Sequence, residues 1–310
     1  MRCVTDQRRG LIAGFSAWII WGLFPLYWRS LSPSTPFELL AHRVVWAVVW
    51  VALVLLVIKR WHEVLAAFRD RRTALVLVAA SIAIGVNWGM FIYGVNDGRT
   101  VEVSLGYYVN PLVSVLMGVW FFKERLRALQ WAAIAIAAIA VVVLTVEVGQ
   151  FPWLGLSLAA SFGIYGLLKK ISPTPPLSGL MVEALILLPA SIAYLAYLMS
   201  IGEWTFGHHG AGHVILVVLM GLVTAVPLVL FAVSAQSIPL STLGLMQYIT
   251  PTMQFLLGVL AFREPMSTAR WIGFGIVWAA LVLFTIDALR NARRDRRTRA
   301  DEMAVTPEAI

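Results

Sequence analysis

The sequence predicts an all-α, polytopic membrane protein with ten transmembrane spans. They form an inverted repeat of five plus five, with both termini cytoplasmic. Three observations predict it. Of 310 residues, 60% are hydrophobic and only 13% charged, about half the charged share of a soluble domain. Mean hydropathy is +0.83. Ten apolar runs approach the roughly 20 residues that a helix needs to cross a bilayer, and two halves of the chain align with each other. A soluble enzyme, a disordered chain and a disulfide scaffold are excluded, and the single cysteine, Cys3, closes no intrachain bridge.

Span 1 (roughly 10–28) contains Pro25 and lacks a small-residue cleavage site before Trp28–Arg29, so it is read as a retained helix. Span 2 (37–58) opens on Thr35-Pro36-Phe37-Glu38, a capping-box signature with proline at the first helical position. Spans 3 (73–95) and 4 (101–122) carry neutral polar groups, and span 4 contains Pro111. Span 5 (129–147) is rich in Ala and Val. Span 6 (151–168) stops at Lys169-Lys170, and span 7 (178–200) carries Glu183. Spans 8 (213–233), 9 (242–262) and 10 (270–289) complete the set, with Pro227 and Pro251 inside spans 8 and 9. The tail, 291–310, is basic and too poor in large apolar residues to fold.

Lysine and arginine are enriched in cytoplasmic loops. With the N-terminus inside, that side receives Arg2, Arg8, Arg9, the basic residues of 59–72, Lys123, Arg125, Arg127, Lys169, Lys170 and the tail from Arg290. Five of the 24 basic residues remain: Arg29, Arg43, Arg99, Arg263 and Arg270. The tail is read as an anchor to anionic lipid rather than a nucleic-acid partner, because no recognition module accompanies it.

Residues 107–145 align without a gap on 247–285, and Tyr108, Pro111, Gly118, Phe122, Glu124 and Trp131 match Tyr248, Pro251, Gly258, Phe262, Glu264 and Trp271. The two repeats are 1–147 and 148–290. Five spans per half is an odd number, so the second half enters the membrane from the opposite face. Inverted repeats of this kind characterise secondary transporters with a site near the midplane.

The closing G-x-x-x-F-x-E turn and tryptophan of each half resemble the EamA-type transporters of the drug/metabolite transporter superfamily. The segments 18-WIIWGLFPLYW-28, 37-FELLAHRVVWA-47, 86-VNWGMFIYGVN-96 and 104-SLGYYVNPL-112 are similar to its RarD branch, named for chloramphenicol sensitivity. The resemblance implies a ten-helix permease of a bacterial-type inner membrane, acting on a small-molecule substrate, and supplies no substrate identity. It also places Arg43 within a family motif.

Ionisable groups inside a span face a cavity or a partner. Glu38, His42 and Arg43 on span 2 and Glu183 on span 7 are the candidates. Arg43 and Glu183 are repeat equivalents when Pro36 is laid on Pro176. Glu38 is open to two readings, a helix cap or a substrate or proton group. Glu38 and His42, four residues apart, share a helix face. Arg43 snorkels outward or faces a cavity, where it can hold a carboxylate or an anionic group of the solute. The neutral candidates are Asn87, Trp88, Tyr93 and Asn96, then Tyr107, Tyr108 and Asn110, then Gln236, Gln247 and Tyr248. Each is read as cavity lining or as helix–helix glue. Trp21, with Trp18 and Trp88, is deep enough to stack on a solute. Pro25, Pro111, Pro227 and Pro251 are candidate hinges, since each removes a backbone donor inside a span.

Glu124 and Glu264 are read as caps joining paired helices. His208, His209 and His213 have no neighbouring acidic ligand beyond Glu203, and no metal site is expected. No cofactor is expected either, and no Walker loop, H-E-x-x-H or G-x-S-x-G occurs. The expectation is a non-enzymatic exporter working by alternating access around a cavity of spans 1–4 and 6–9, with spans 5 and 10 as supports or contacts of a homo-oligomer. A non-transporting receptor or scaffold is the rival.

Overall fold

The computed structural model describes residues 2–97, 99–148, 151, 153–261, 268, 271–272, 275–276, 278–279, 282–283 and 286. Most of the tenth span, Glu264 and the tail lie outside them. Among the described residues there are helices and no strands. In chain order they are α1 (Arg2–Arg29), α2 (Pro36–Val57), α3 (Trp61–Arg69), α4 (Arg71–Asn96), α5 (Thr100–Phe122), α6 (Ala128–Val148), α7 (Trp153–Ile171), α8 (Pro176–Ile201), α9 (Gly210–Ser237), α10 (Leu240–Met246) and α11 (Ile249–Leu256). A π-helical turn, Leu257–Ala261, follows α11. Seven segments among the described residues are long and apolar enough to cross a bilayer: 6–29, 36–57, 71–94, 153–171, 176–201, 210–237 and 240–261. The protein is a multi-pass membrane protein.

Local chemistry sets the helix ends. Thr35 caps α2, its Oγ1 accepting from the Glu38 amide at 3.3 Å, and Pro36 needs no donor at the first helical position. Asp70 opens α4 by accepting the Thr73 amide at 2.9 Å and the Thr73 hydroxyl. Lys123 ends α5 in the left-handed region (φ 53), its amide donating to Gly118 O. The Glu124 amide reaches the same carbonyl at 3.2 Å. A Cβ on Gly118 would stand 2.6 Å from Glu124 Oε2, so only glycine lets the carboxylate fold back here. Glu124 then accepts the amides of Leu240 (2.7 Å) and Ser241 (2.9 Å), capping α10 of the other half.

Two features depart from the sequence expectation. The 59–72 loop contains a helix, α3, which presents Val64 and Ala67 inward. Span 9 is not one helix, because α10 and α11 are separated at Gln247–Tyr248. The Pro251 ring conflicts with the carbonyl four residues earlier, that of Gln247, and the amides of Gln247, Tyr248 and Thr250 reach carbonyls three residues back. Since Pro111 stands at the equivalent place in continuous α5, the proline alone does not produce the break.

The chain divides into two compact units, 1–124 with 151–265 and 125–150 with 266–310. The second includes α6, on which Ala133 and Ala137 are buried and Val142 and Val146 exposed. In the first, α5 packs on α7, α1 on α11, α1 on α9, α4 on α7, α2 on α9 and α4 on α8. These contacts fall into pairs under the repeat. Span 4 on 6 matches 9 on 1, span 1 on 8 matches 6 on 3, and span 2 on 8 matches 7 on 3. The α2–α9 approach is close. A Cβ on Gly221 would lie 2.2 Å from the Trp46 carbonyl carbon, so glycine brings the α9 backbone against α2 beside the site described next.

Candidate functional site

Arg43 and Glu183 each stand seven residues into helices that begin with proline, α2 and α8. Both therefore lie about 10 Å along their axes at 1.5 Å per residue. They line the same enclosed cavity, together with Val44, Ala47, Ile84, Trp88, Tyr165, Leu180, Ala184, Leu187, Thr224 and Leu228. Ten of these twelve form five pairs separated by 140 residues: Arg43 and Glu183, Val44 and Ala184, Ala47 and Leu187, Ile84 and Thr224, Trp88 and Leu228. Residues equivalent under the repeat thus meet at one place. The cavity measures about 20 Å³, room for one water-sized group.

The two ionisable groups are held differently. Glu183 accepts from Lys169 Nζ at 2.7 Å and from the Tyr165 hydroxyl at 3.1 Å, and the Lys169–Glu183 pair is 2% exposed on each side. Arg43 Nε donates to Thr224 Oγ1 at 3.2 Å. Its guanidinium lies over Trp88, 4.1 Å from the ring centroid, and 5.7 Å from that of Trp28. No ion pair to Arg43 occurs among the described residues. Tyr165 continues into an aromatic cluster, stacked on Phe231 at 5.8 Å and joined by Phe162, Trp18 and Trp21. Trp21 therefore sits in this cluster, with Trp18 4.9 Å away.

Sequence reasoning placed Lys169 and Lys170 in a loop. Both belong to the last turn of α7, where the helix dipole favours cations. Lys169 is buried against Glu183. Lys170 donates to Ile238 O at 2.6 Å and lies 3.9 Å from Glu124. The available signal was the four-residue spacing from Tyr165 to Lys169, which puts both on one face of α7.

Glu38 and His42 lie apart from this cavity, where α2 meets the 202–209 loop. The capping box is half made. Thr35 caps Glu38, but the Glu38 carboxylate turns to the loop and accepts the Thr205 amide (2.9 Å), the Thr205 hydroxyl (2.7 Å) and the Phe206 amide (3.3 Å). His42 is buried under Trp204 and Phe206, with Nε2 3.8 Å from Glu38 and neither ring nitrogen hydrogen-bonded. His213 Nε2 meets Ser34 Oγ at 2.9 Å, and Ser34 meets Thr205 at 2.5 Å. Among the described residues, no three metal-binding side chains converge.

The neutral candidates are dispersed. Asn87 Nδ2 donates to Leu158 O (2.8 Å) and Ser161 Oγ (3.1 Å), tying α4 to α7. Gln236 reaches Thr174 O at 3.1 Å. The Tyr248 hydroxyl donates to Tyr108 O at 3.3 Å, joining the equivalent tyrosines of the two halves. Asn110 and Gln247 are buried, each with a side-chain oxygen that has no partner. Tyr107 packs edge-on to Phe91, and Tyr93 is exposed beside Trp153. Asn96 ends α4, and its side chain is outside the described set. Pro111, Pro227 and Pro251 are buried inside α5, α9 and α11, and Pro25 lies in α1.

The chain matches the EamA-like transporter family over residues 8–146 and again over 152–286. It belongs to that family. It is 48% identical to "Protein RarD" of Streptomyces exfoliatus, over 96% of this chain and 94% of that one. It is 40% identical to "Uncharacterized transporter YojE" of Bacillus subtilis, over 94% of this chain and 98% of that one. A solved crystal structure shares its fold at a TM-score of 0.68 and 20% identity, covering 89% of this chain and 97% of the other. This EamA-like protein is a membrane transporter of the RarD branch.

Proposed function

We propose that this transporter exports a small organic solute across a bacterial inner membrane by alternating access around the Arg43–Glu183 cavity. The supporting observation is the five equivalent pairs that line it. A cavity shared by both halves changes its exposure when one half rocks against the other. Ten spans, an inverted five-plus-five arrangement and cytoplasmic termini belong to the same reading, supported by the basic loops and by the paired helix contacts. Spans 5 and 10 then serve as supports or as a homo-oligomer contact. Glu183 and Lys169 are the groups through which a proton gradient would act, with Arg43 as a fixed electrostatic partner, since arginine itself does not deprotonate at accessible pH.

The test is solute flux in proteoliposomes, with and without a pH gradient, alongside single cysteines in the 59–72 and 203–213 loops. Shielding of the first loop from an impermeant reagent in cells, and labelling of the second, is expected. Reversed labelling overturns the topology, and absence of flux for every solute class overturns export.

A further inference from the structure

The geometry points to an anion site at Arg43, taking the carboxylate of a flat, apolar-bodied organic monoanion that lies along Trp88. This rests on the transport reading and names the substrate class for the same cavity.

A guanidinium inside a span demands a counter-charge or extensive hydrogen bonding. Glu183, which lines the same cavity, is already held by Lys169 and Tyr165. Glu38 is turned to the amides of Thr205 and Phe206. Arg43 has one hydroxyl acceptor, Thr224, for a fork of five donors. With Lys169 and Arg43 cationic and Glu183 anionic, the cavity cluster carries one uncompensated positive charge. No carboxylate among the described residues supplies the counter-charge, and that role falls to the solute.

The shape of the site adds the second half of the assignment. An arginine fork matches a carboxylate bidentately. One carboxylate oxygen can occupy the water-sized space, and the rest of the solute requires the walls of α2, α4, α8 and α9 to part. Trp88 is an indole whose one face carries the Arg43 guanidinium, at 4.1 Å from the ring centroid, where its repeat equivalent, Leu228, has no ring. A planar body bound to the fork meets the indole beside it. That asymmetry selects a planar, π-bearing body on the α4 side.

The experiment uses the full chain in detergent. Thermal midpoints and calorimetric affinities are read for benzoate, benzamide, benzylamine, acetate and chloride. Benzoate is expected to bind and to raise the midpoint, with benzamide and benzylamine at least about tenfold weaker. Arg43→Gln should weaken benzoate about tenfold or more, and Arg43→Lys less, because charge remains without the fork. Thr224→Val, which leaves the guanidinium in place, guards against misfolding of the arginine variants and should weaken benzoate a few-fold. Trp88→Leu should abolish the preference of benzoate over acetate. No benzoate binding to the wild-type chain, equal binding of benzamide, or unchanged affinity in Arg43→Gln overturns the anion site. Chloride binding as well as benzoate, with no effect of Trp88→Leu, overturns the organic assignment. Flux in proteoliposomes separates the two readings: Arg43-dependent binding without flux retains the site and removes transport, and flux unaltered by Arg43→Gln retains transport and removes the site.

Discussion

The first half of the chain places Arg43 where the second half places Glu183, and the two are treated in opposite ways. Glu183 is settled by Lys169 and the Tyr165 hydroxyl. Arg43 has a threonine hydroxyl and an indole face. Span 4 and span 9 diverge similarly. Both contain a proline at the equivalent position, yet α5 runs unbroken from Thr100 to Phe122 and span 9 breaks at Gln247–Tyr248. A repeat fixes which positions meet. Substitutions between its halves decide which of those positions meets an opposite charge among the described residues and which meets a hydroxyl and a ring.

The largest expected effect breaks the settled half. Lys169→Met leaves Glu183 buried and unpaired, which costs about 3–5 kcal/mol. The purified protein should lose folded yield and thermal midpoint, and Lys169→Met with Glu183→Gln should recover most of the loss. A single variant as stable as the wild type would show that the pair does not hold α7 to α8.

The next compares the two prolines. Pro251→Ala offers the Gln247 carbonyl, which accepts from the Thr250 amide at 3.1 Å, a donor four residues on, and should straighten span 9, slowing amide hydrogen exchange at 247–252 and lowering flux several-fold. Pro111→Ala, in a helix already continuous, should change both little. Equal responses would remove the distinction between the spans.

Asn87→Ala tests glue against cavity. Loss of its bonds to α7 should cost about 1–2 kcal/mol, lowering abundance and flux in parallel. Flux lost at constant abundance would move Asn87 to the solute.

The smallest effect lies outside the spans. Burial pushes the Glu63 carboxyl up, but bonds from Ser178 (2.5 Å) and Arg60 (2.6 Å), with the charges of Arg60 and His62, hold it below its usual 4.5. Its folded value is depressed, so its stabilisation is present above pH 4.5 and is lost as pH falls through the folded value. Glu63→Gln should lower the midpoint at pH 7 by a degree or two and flatten its fall below pH 4.5. An unchanged acid profile would show that the α3–α8 link is not held by charge.

The EamA resemblance, the apolar spans and the equivalence of Arg43 with Glu183 were legible in the sequence, because each depends on spacing along one chain. The role of Glu124 was legible too. Its turn carries Gly118, and the structure shows the carboxylate on the amides of Leu240 and Ser241. Glu38 shows the limit. Thr35-x-x-Glu38 is a local pattern, and the Thr35 half formed, but the carboxylate found stronger donors 167 residues away in Thr205.

By itself the sequence determined a helical chain that crosses the membrane several times and the identity of the ionisable residues within its apolar runs. Hydropathy and spacing are properties of the chain alone. Only the tertiary structure decided the partners, because a buried charge is satisfied by whichever group packing brings within hydrogen-bond reach. The last turn of α7 brought Lys169 within hydrogen-bond reach of Glu183 on α8. Packing α2 against α9, at Gly221, gave Arg43 a hydroxyl and, among the described residues, no carboxylate.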